Sequence, residues 1–174
     1  MINKLKVTVA FIGLTLSQIA LAQSDSFASE VSIKAGKQQA QLKTNIGIFE
    51  QNVEIIHGNR QINADRLEVH RRAELGENKQ LLVATGSPAL FSEKQADGTL
   101  LSASAQEVRY DVANKMLIIK GDAEINQAGQ IIKAQSITYD MEKQLINADR
   151  GNQNTGRVHT ILVPEKKSDK DQGK

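Results

Sequence analysis

Residues 62–69 read Ile62-Asn63-Ala64-Asp65-Arg66-Leu67-Glu68-Val69, and this stretch decides the fold class. Apolar or small residues first stand two apart, at Ile62 and Ala64, and then resume three residues on, at Leu67 and Val69. Side chains of a β-strand alternate with a period of two, so a step of three turns the later residues to the opposite face. A bulge or sharp corner at this step keeps both halves facing inward. The stretch therefore predicts a long strand that is bent in its middle.

The same step of three occurs twice more along the chain, within residues 103–110 and 132–139. A second repeat begins at Gln51, Gly86 and Gly121, so its copies lie 35 residues apart. Repeats at a fixed distance are typical of stacked supersecondary units that share one core. Corners aligned in three repeats predict an all-β fold, a repeated antiparallel V-shaped β-jellyroll with open ends and a long apolar groove between its arms.

The first and last strands of this predicted sheet are its open ends. They cover residues 31–35 and 158–163, and both are apolar or alternating with few charges. An unpaired strand edge attracts another chain unless charge or proline blocks it. Both ends are therefore predicted to pair with further sheets by β-augmentation. The predicted interaction edges are Val31 and Ile33 at the start, and Val158, Thr160, Ile161 and Val163 at the end.

The first 22 residues have the features of a secretory signal peptide. Lys4 and Lys6 precede an apolar stretch, and the segment closes with Ala20-Leu21-Ala22, a small-x-small cleavage pattern. We expect cleavage before Gln23. The predicted organisation is a signal peptide at 1–22, one β-jellyroll domain at 23–164 and a polar, disordered tail at 165–174.

Charge and composition exclude several classes of protein. The signal segment holds two of the 22 basic residues and no acid, so the remainder carries 20 basic against 20 acidic residues. Such a balanced chain lacks the basic face of a nucleic-acid binder. There is no cysteine, and aromatic residues make up only 3% of the chain. The interior must therefore be built from aliphatic side chains, which suit acyl chains.

Catalytic and metal-binding patterns are absent from the sequence. His57, His70 and His159 have no HxH or HExxH spacing, and we expect them to be scattered surface or edge residues. Asp65 and Asp149 are expected at corners, where they bond their own backbone. No nucleophile-elbow pattern and no phosphate-binding glycine loop occurs. The sequence predicts no enzyme activity, no cofactor and no metal.

Several ordered motifs together resemble the OstA-like family of lipopolysaccharide-export proteins. The resemblance covers about residues 30–164 and rests on residues 49–53, 62–67, 86–91, 103–110, 121–123 and 157–164. One departure is Glu50-Gln51-Asn52, where the family more often has Thr-Gly-Asn. No single motif is decisive, but their order and spacing together are specific.

The resemblance implies a periplasmic bridge protein that binds lipopolysaccharide and carries it to the outer membrane for outer-membrane assembly. Family members join head to tail, with an LptC-like protein anchored in the inner membrane at one end and an LptD-like outer-membrane translocon at the other. Lipid A acyl chains slide along the shared interior. The family's lipid-contacting positions fall on Val31, Phe91, Tyr110 and Val112. Ile33 joins them because it shares the inward face of Val31.

Three alternatives remain open at this point. One is the membrane-anchored, LptC-like partner of the same pathway, which retention of residues 1–22 would favour. Another is a periplasmic lipid carrier or chaperone that does not polymerise, which molecular size across a concentration series would identify. The third, a secreted hydrolase, is disfavoured because no nucleophile, acid pair or metal cluster is present.

Overall fold

The computed structural model describes residues 29–76, 79–151 and 156–163, and the predicted signal peptide and tail lie outside these ranges. The described residues form ten β-strands and one short 3₁₀ turn at Ala73–Leu75, which confirms the all-β prediction. No helix among them is long and apolar enough to cross a membrane. The strands are β1 Val31–Lys34, β2 Lys37–Gln41, β3 Ile46–His57, β4 Arg60–His70, β5 Leu81–Lys94, β6 Leu100–Asp111, β7 Met116–Gln127, β8 Gln130–Asp140, β9 Leu145–Asp149 and β10 His159–Leu162.

All ten strands belong to one antiparallel sheet. Its order is β1-β3-β4-β5-β6-β7-β8-β10, with β2 also paired to β3 and β9 also paired to β8. The long strands β3 to β8 follow each other as hairpins, and each pairs with its sequence neighbour. Within the described residues the sheet does not close on itself, so its two ends remain open as predicted.

The predicted corners are present as a line of register shifts across the sheet. Pairing is interrupted between Glu50 and Val53 of β3, between Asn63 and Arg66 of β4, and at the equivalent points of β5, β6 and β7. The non-glycine residues Gln51, Asn52 and Asp122 adopt positive φ at these points, as bulged backbone requires. Five adjacent shifts divide the sheet into two arms along one fold line.

We call the two halves of the sheet the first and second arms. The first arm contains residues 53–64, 89–105 and 123–134 and is extended by β1 and β10. The second arm contains residues 46–50, 66–76, 79–85, 107–120 and 136–140 and is extended by β2 and β9.

Two equivalent hairpins of the second arm have the same turn chemistry. Asp111 Oδ1 accepts a hydrogen bond from the backbone N–H of Asn114 at 3.0 Å, and Asp140 Oδ1 accepts one from Lys143 at 3.0 Å. Aspartate commonly starts a turn by bonding backbone N–H groups a few residues on. The two turns lie 29 residues apart, so the sequence repeat corresponds to a repeated hairpin.

The apolar interior lies between the arms as a single cluster. Inward positions come from both arms: Ala89 and Leu101 of the first arm and Leu67 and Val108 of the second arm are all completely buried. Valine, isoleucine, leucine and alanine supply most of the cluster, as the scarcity of aromatic residues predicted. Each arm therefore has one apolar face directed at the other arm.

Gly121 provides a test of the fold line. It has φ of +77°, and an added Cβ would lie 3.0 Å from the Cβ of Gln106 on the neighbouring strand. Both backbone strain and this contact oppose any larger side chain. We expect Gly121→Ala to lower the free energy of unfolding by about 1–3 kcal/mol in urea denaturation. Gly98→Ala is the control, because Gly98 also has positive φ but has open space around it. Equal losses in the two variants would show that the close approach at the fold line contributes nothing.

Candidate functional site

The space between the two arms is the candidate functional site. Phe91 lies on β5 of the first arm, paired with Ile62 and Ala103, and Tyr110 lies on β6 of the second arm. Both side chains are only 1% exposed, and Val112, just after β6, is buried too. The structure thus brings these three predicted site residues into one interior. Contact with lipid remains a prediction for them.

A cavity of about 290 Å³ lies at the β1 end of the interior. Val31 and Ile33 of β1 line it together with Phe49, Val69 and Leu82. Polar residues, including Gln38, Gln41, Asn45 and Arg71, line the same cavity. The two N-terminal site residues are therefore half-buried at an opening of the interior.

The middle of the interior is filled by side chains. Residues of the central strands such as Leu82, Leu101 and Leu117 are at most 1% exposed. Protein interiors of this kind are close-packed and contain few voids. A long ligand can occupy the middle only if the arms move apart or these side chains change position.

The predicted C-terminal edge is a short strand at the end of the first arm. Thr160 and Ile161 lie in β10, which pairs with β8, whereas Val158 and Val163 flank the strand. All four are exposed, and within the described residues β10 has only one neighbouring strand. Pro164, which follows Val163 in the sequence, lies outside the described residues. Association through this edge remains a prediction.

Sequence reasoning missed a row of buried polar side chains on the inner face of the first arm. His57, Arg60 and Glu93 are direct register partners across β3, β4 and β5, and each is at most 4% exposed. Arg60 Nη2 lies 2.7 Å from Glu93 Oε1. The three occupy the inward positions of these strands farthest from the fold line. We call them the mouth row.

Two tyrosines of the second arm face the mouth row. A hydrogen bond of 2.8 Å joins His57 Nδ1 to the Tyr110 hydroxyl, and Tyr139 interacts with Glu93 and Gln95. Burial raises the pKa of Tyr110 to about 12 and also raises the pKa of Tyr139. Both hydroxyls therefore stay protonated at neutral pH and can donate hydrogen bonds. The mouth row and these tyrosines therefore form polar contacts between the arms.

The expectation that His57 is a surface or edge residue was wrong. His57 is 1% exposed, because it continues the inward alternation of Val53 and Ile55. Arg60 is two residues from Ile62, and Glu93 is two residues from Phe91, so each points to the same face as a buried apolar residue. Strict alternation along the strands could therefore have identified all three inward side chains. His70 and His159 are half-buried and exposed, respectively. Across the described residues, no group of three His, Cys, Asp or Glu side chains is placed to hold a metal ion.

Comparison with protein families gives a match over most of the sheet. Residues 32–145 match the family described as "LptA/(LptD N-terminal domain) LPS transport protein". A protein of Haemophilus influenzae named lipopolysaccharide export system protein LptA is 31% identical, over 87% of this chain and 90% of that protein. A protein of the same name from Escherichia coli (strain K12) is 30% identical, over 97% of this chain and 90% of that protein.

Comparison with solved structures finds the same fold. The crystal structure of LptH from Pseudomonas aeruginosa, described as the LptA-homologous periplasmic component of the lipopolysaccharide transport device, superposes with a TM-score of 0.73. The two sequences are 18% identical, and the match covers 81% of this chain and all of that one. The folded, open sheet is therefore an architecture shared with a solved relative.

Proposed function

This chain belongs to the family of LptA and LptD N-terminal-domain LPS transport proteins, and we propose that it is a periplasmic bridge protein that binds lipopolysaccharide and carries it from the inner membrane to the outer membrane. Its neighbours in the bridge are further copies of itself, an LptC-like inner-membrane protein and an LptD-like outer-membrane translocon. The chain acts by binding and conveying, without catalysis of its own.

One observation carries this proposal: the two arms enclose a continuous apolar interior in a sheet that, over the described residues, does not close. The interior runs from β3 to β8, and side chains of β1 and β9 pack against it at the two ends. A neighbour of related fold that pairs with an end strand would extend both the sheet and its apolar interior. Such an arrangement suits a ligand that moves from one molecule to the next.

The physical need for such an interior follows from the ligand. Each methylene kept out of water is worth about 0.8 kcal/mol, so the acyl chains of one lipid amount to tens of kcal/mol. An interior lined by similar aliphatic side chains shields the acyl chains at every position and has no single position that binds them much more tightly than the rest. The sequence has no phosphate-binding glycine loop, so the energy for directed movement has to come from elsewhere.

The ends of the chain fit the same proposal. We assign residues 1–22 to a signal peptide that is removed before Gln23, which delivers the domain at 23–164 to the periplasm. Residues 165–174 form a polar tail. The membrane-anchored alternative has no observation in its favour, and the named relatives are export system proteins LptA.

A photo-crosslinking amino acid placed at Phe91 or Tyr110 in cells tests the proposal. Both positions face the interior, so we expect a covalent lipopolysaccharide adduct at each. Leu90 is the matched control for Phe91, because it is the next residue on β5, is apolar and is 46% exposed on the outer face. Glu68, on the outer face of the second arm beside Arg66, is the control for Tyr110.

Adducts at the two interior positions, with none at the two controls, support lipid transport between the arms. Equal labelling at Phe91 and Leu90 would contradict it, because the lipid would then contact the protein without preference for the interior. Correct folding of each crosslinker variant is checked by β-sheet circular dichroism.

A further inference from the structure

We propose that the mouth row is a polar subsite of the lipid groove, which binds the oxygen atoms where acyl chains join the sugars of the lipid. The inference rests on the proposed function and deepens it. It names the ester and amide carbonyls and the hydroxyls of the acyl-sugar junction as the groups recognised. Arg60, Tyr110 and Tyr139 are the donors, and His57 and Glu93 hold them in place.

The position of the row supports this assignment. Along the first arm the inward residues run from Ala64 at the fold line through Ile62 to Arg60, and from Ala89 through Phe91 to Glu93. Along β3, β4 and β5 the interior is therefore apolar at its closed side and polar at its mouth. An amphiphile placed between the arms has its chains toward the fold line and its polar end at the mouth, where bulky sugars can stay outside.

A contribution to protein stability alone does not explain the buried ion pair of Arg60 and Glu93. A buried ion pair loses so much hydration that well-packed apolar residues of similar volume are often equally or more stabilising. The neighbouring inward positions Ile55, Ile62 and Phe91 are apolar, as the shielding of hydrocarbon requires. A charged pair among them is expected where a ligand needs hydrogen bonds.

The contacts across the mouth suggest how the subsite exchanges its partners. Without ligand, the Tyr110 hydroxyl bonds to His57 on the other arm, and Tyr139 interacts with Glu93. When the arms separate around a lipid, these tyrosine hydroxyls lose their partners. Carbonyl and hydroxyl oxygens of the acyl-sugar junction replace them, so the polar groups remain satisfied in both states.

The test uses the double variant Arg60→Met/Glu93→Leu, which removes the charges without leaving one of them unpaired. Binding is measured with two probes, purified lipopolysaccharide and the apolar fluorophore N-phenyl-1-naphthylamine, which has no acyl-sugar junction. We expect the Kd for lipopolysaccharide to rise about tenfold, as for the loss of one charge-assisted hydrogen bond. The Kd for the fluorophore should stay within about twofold, since the apolar interior is intact.

The double variant Glu124→Leu/Lys133→Met is the matched control. This pair also joins register partners on the first arm, at 2.7 Å, but it lies on the outer face. We expect its affinity for both probes to equal that of the original protein. Lipopolysaccharide affinity unchanged in the mouth-row variant, or an equal loss for both probes, would overturn the subsite. Failure of the unmodified protein to bind lipopolysaccharide would overturn the proposed function together with it.

Discussion

Replacing Glu93 alone with leucine is expected to lower the free energy of unfolding by about 3–5 kcal/mol. The substitution leaves the Arg60 guanidinium, itself 4% exposed, without the carboxylate that lies 2.7 Å from it. A buried charge that loses its partner keeps its full desolvation cost. In urea, with a slope of about 2 kcal/mol per molar, the midpoint should fall by about 2 M.

Replacing both members of the pair should largely restore stability. In Arg60→Met/Glu93→Leu both charges of the pair are gone. Tyr110 loses its interaction with Arg60 but keeps its bond to His57, and Tyr139 loses its interaction with Glu93 but keeps its contact with Gln95. We expect this variant to unfold within about 2 kcal/mol of the original protein. Because the double variant is expected to stay folded, whereas Glu93→Leu is strongly destabilised, the double variant is the one used in the binding experiments.

An exposed pair provides the control for the single substitution. Glu124→Leu removes the partner of Lys133, whose side chain is 50% exposed, so water can solvate the remaining charge. The expected cost is about 1 kcal/mol or less. Equal costs for Glu93→Leu and Glu124→Leu would mean that the mouth row is solvated and not part of the interior.

The fold line could be predicted from the sequence because it depends on local spacing. The step of three between Ala64 and Leu67 leaves no other way to keep both halves of β4 facing the core. The structure has its register shift between Asn63 and Arg66, which overlaps that step. A pattern that recurs in three repeats also fixes the alignment of the corners, since adjacent strands must bend together.

Strand β2 could not be predicted in this way. Lys37–Gln41 is polar, all five residues are exposed, and the segment shows no alternation. It is a strand because the corner in β3 opens a second edge, along residues 46–50, to which β2 pairs. Its structure is thus imposed by a neighbour in space and not by its own side chains.

The mouth row was only partly predictable. Alternation indicates that His57, Arg60 and Glu93 face inward, but their contact depends on the register of three strands. The hydrogen bond between His57 and Tyr110 joins residues 53 positions apart on opposite arms. Only the folded sheet brings these two side chains together.

The C-terminal edge gives the second large expected effect. Directly after β10, the backbone N–H of Val163 donates a hydrogen bond of 2.8 Å to the carbonyl of Gly129, in the turn between β7 and β8. Backbone groups alternate along a strand, so the N–H of Ile161 also points to β8, whereas the N–H groups of Thr160 and Leu162 point away from it. The sequence cannot reveal which backbone N–H groups of β10 point away from β8, because this depends on how β10 pairs with Ile131 and Ile132.

Thr160→Pro should therefore abolish head-to-tail assembly and leave the monomer folded. Proline at 160 removes an outward N–H that an incoming strand would use, and it removes no bond to β8. We expect light scattering across a concentration series to give a monomer at every concentration, whereas the original protein lengthens stepwise.

Thr160→Val keeps the N–H and should assemble normally. Ile161→Pro removes the inward bond, so β10 should detach and its amide protons should exchange faster. Long assemblies of folded Thr160→Pro would exclude β10 as the docking edge, because no proline at that position can complete the ladder to a neighbour.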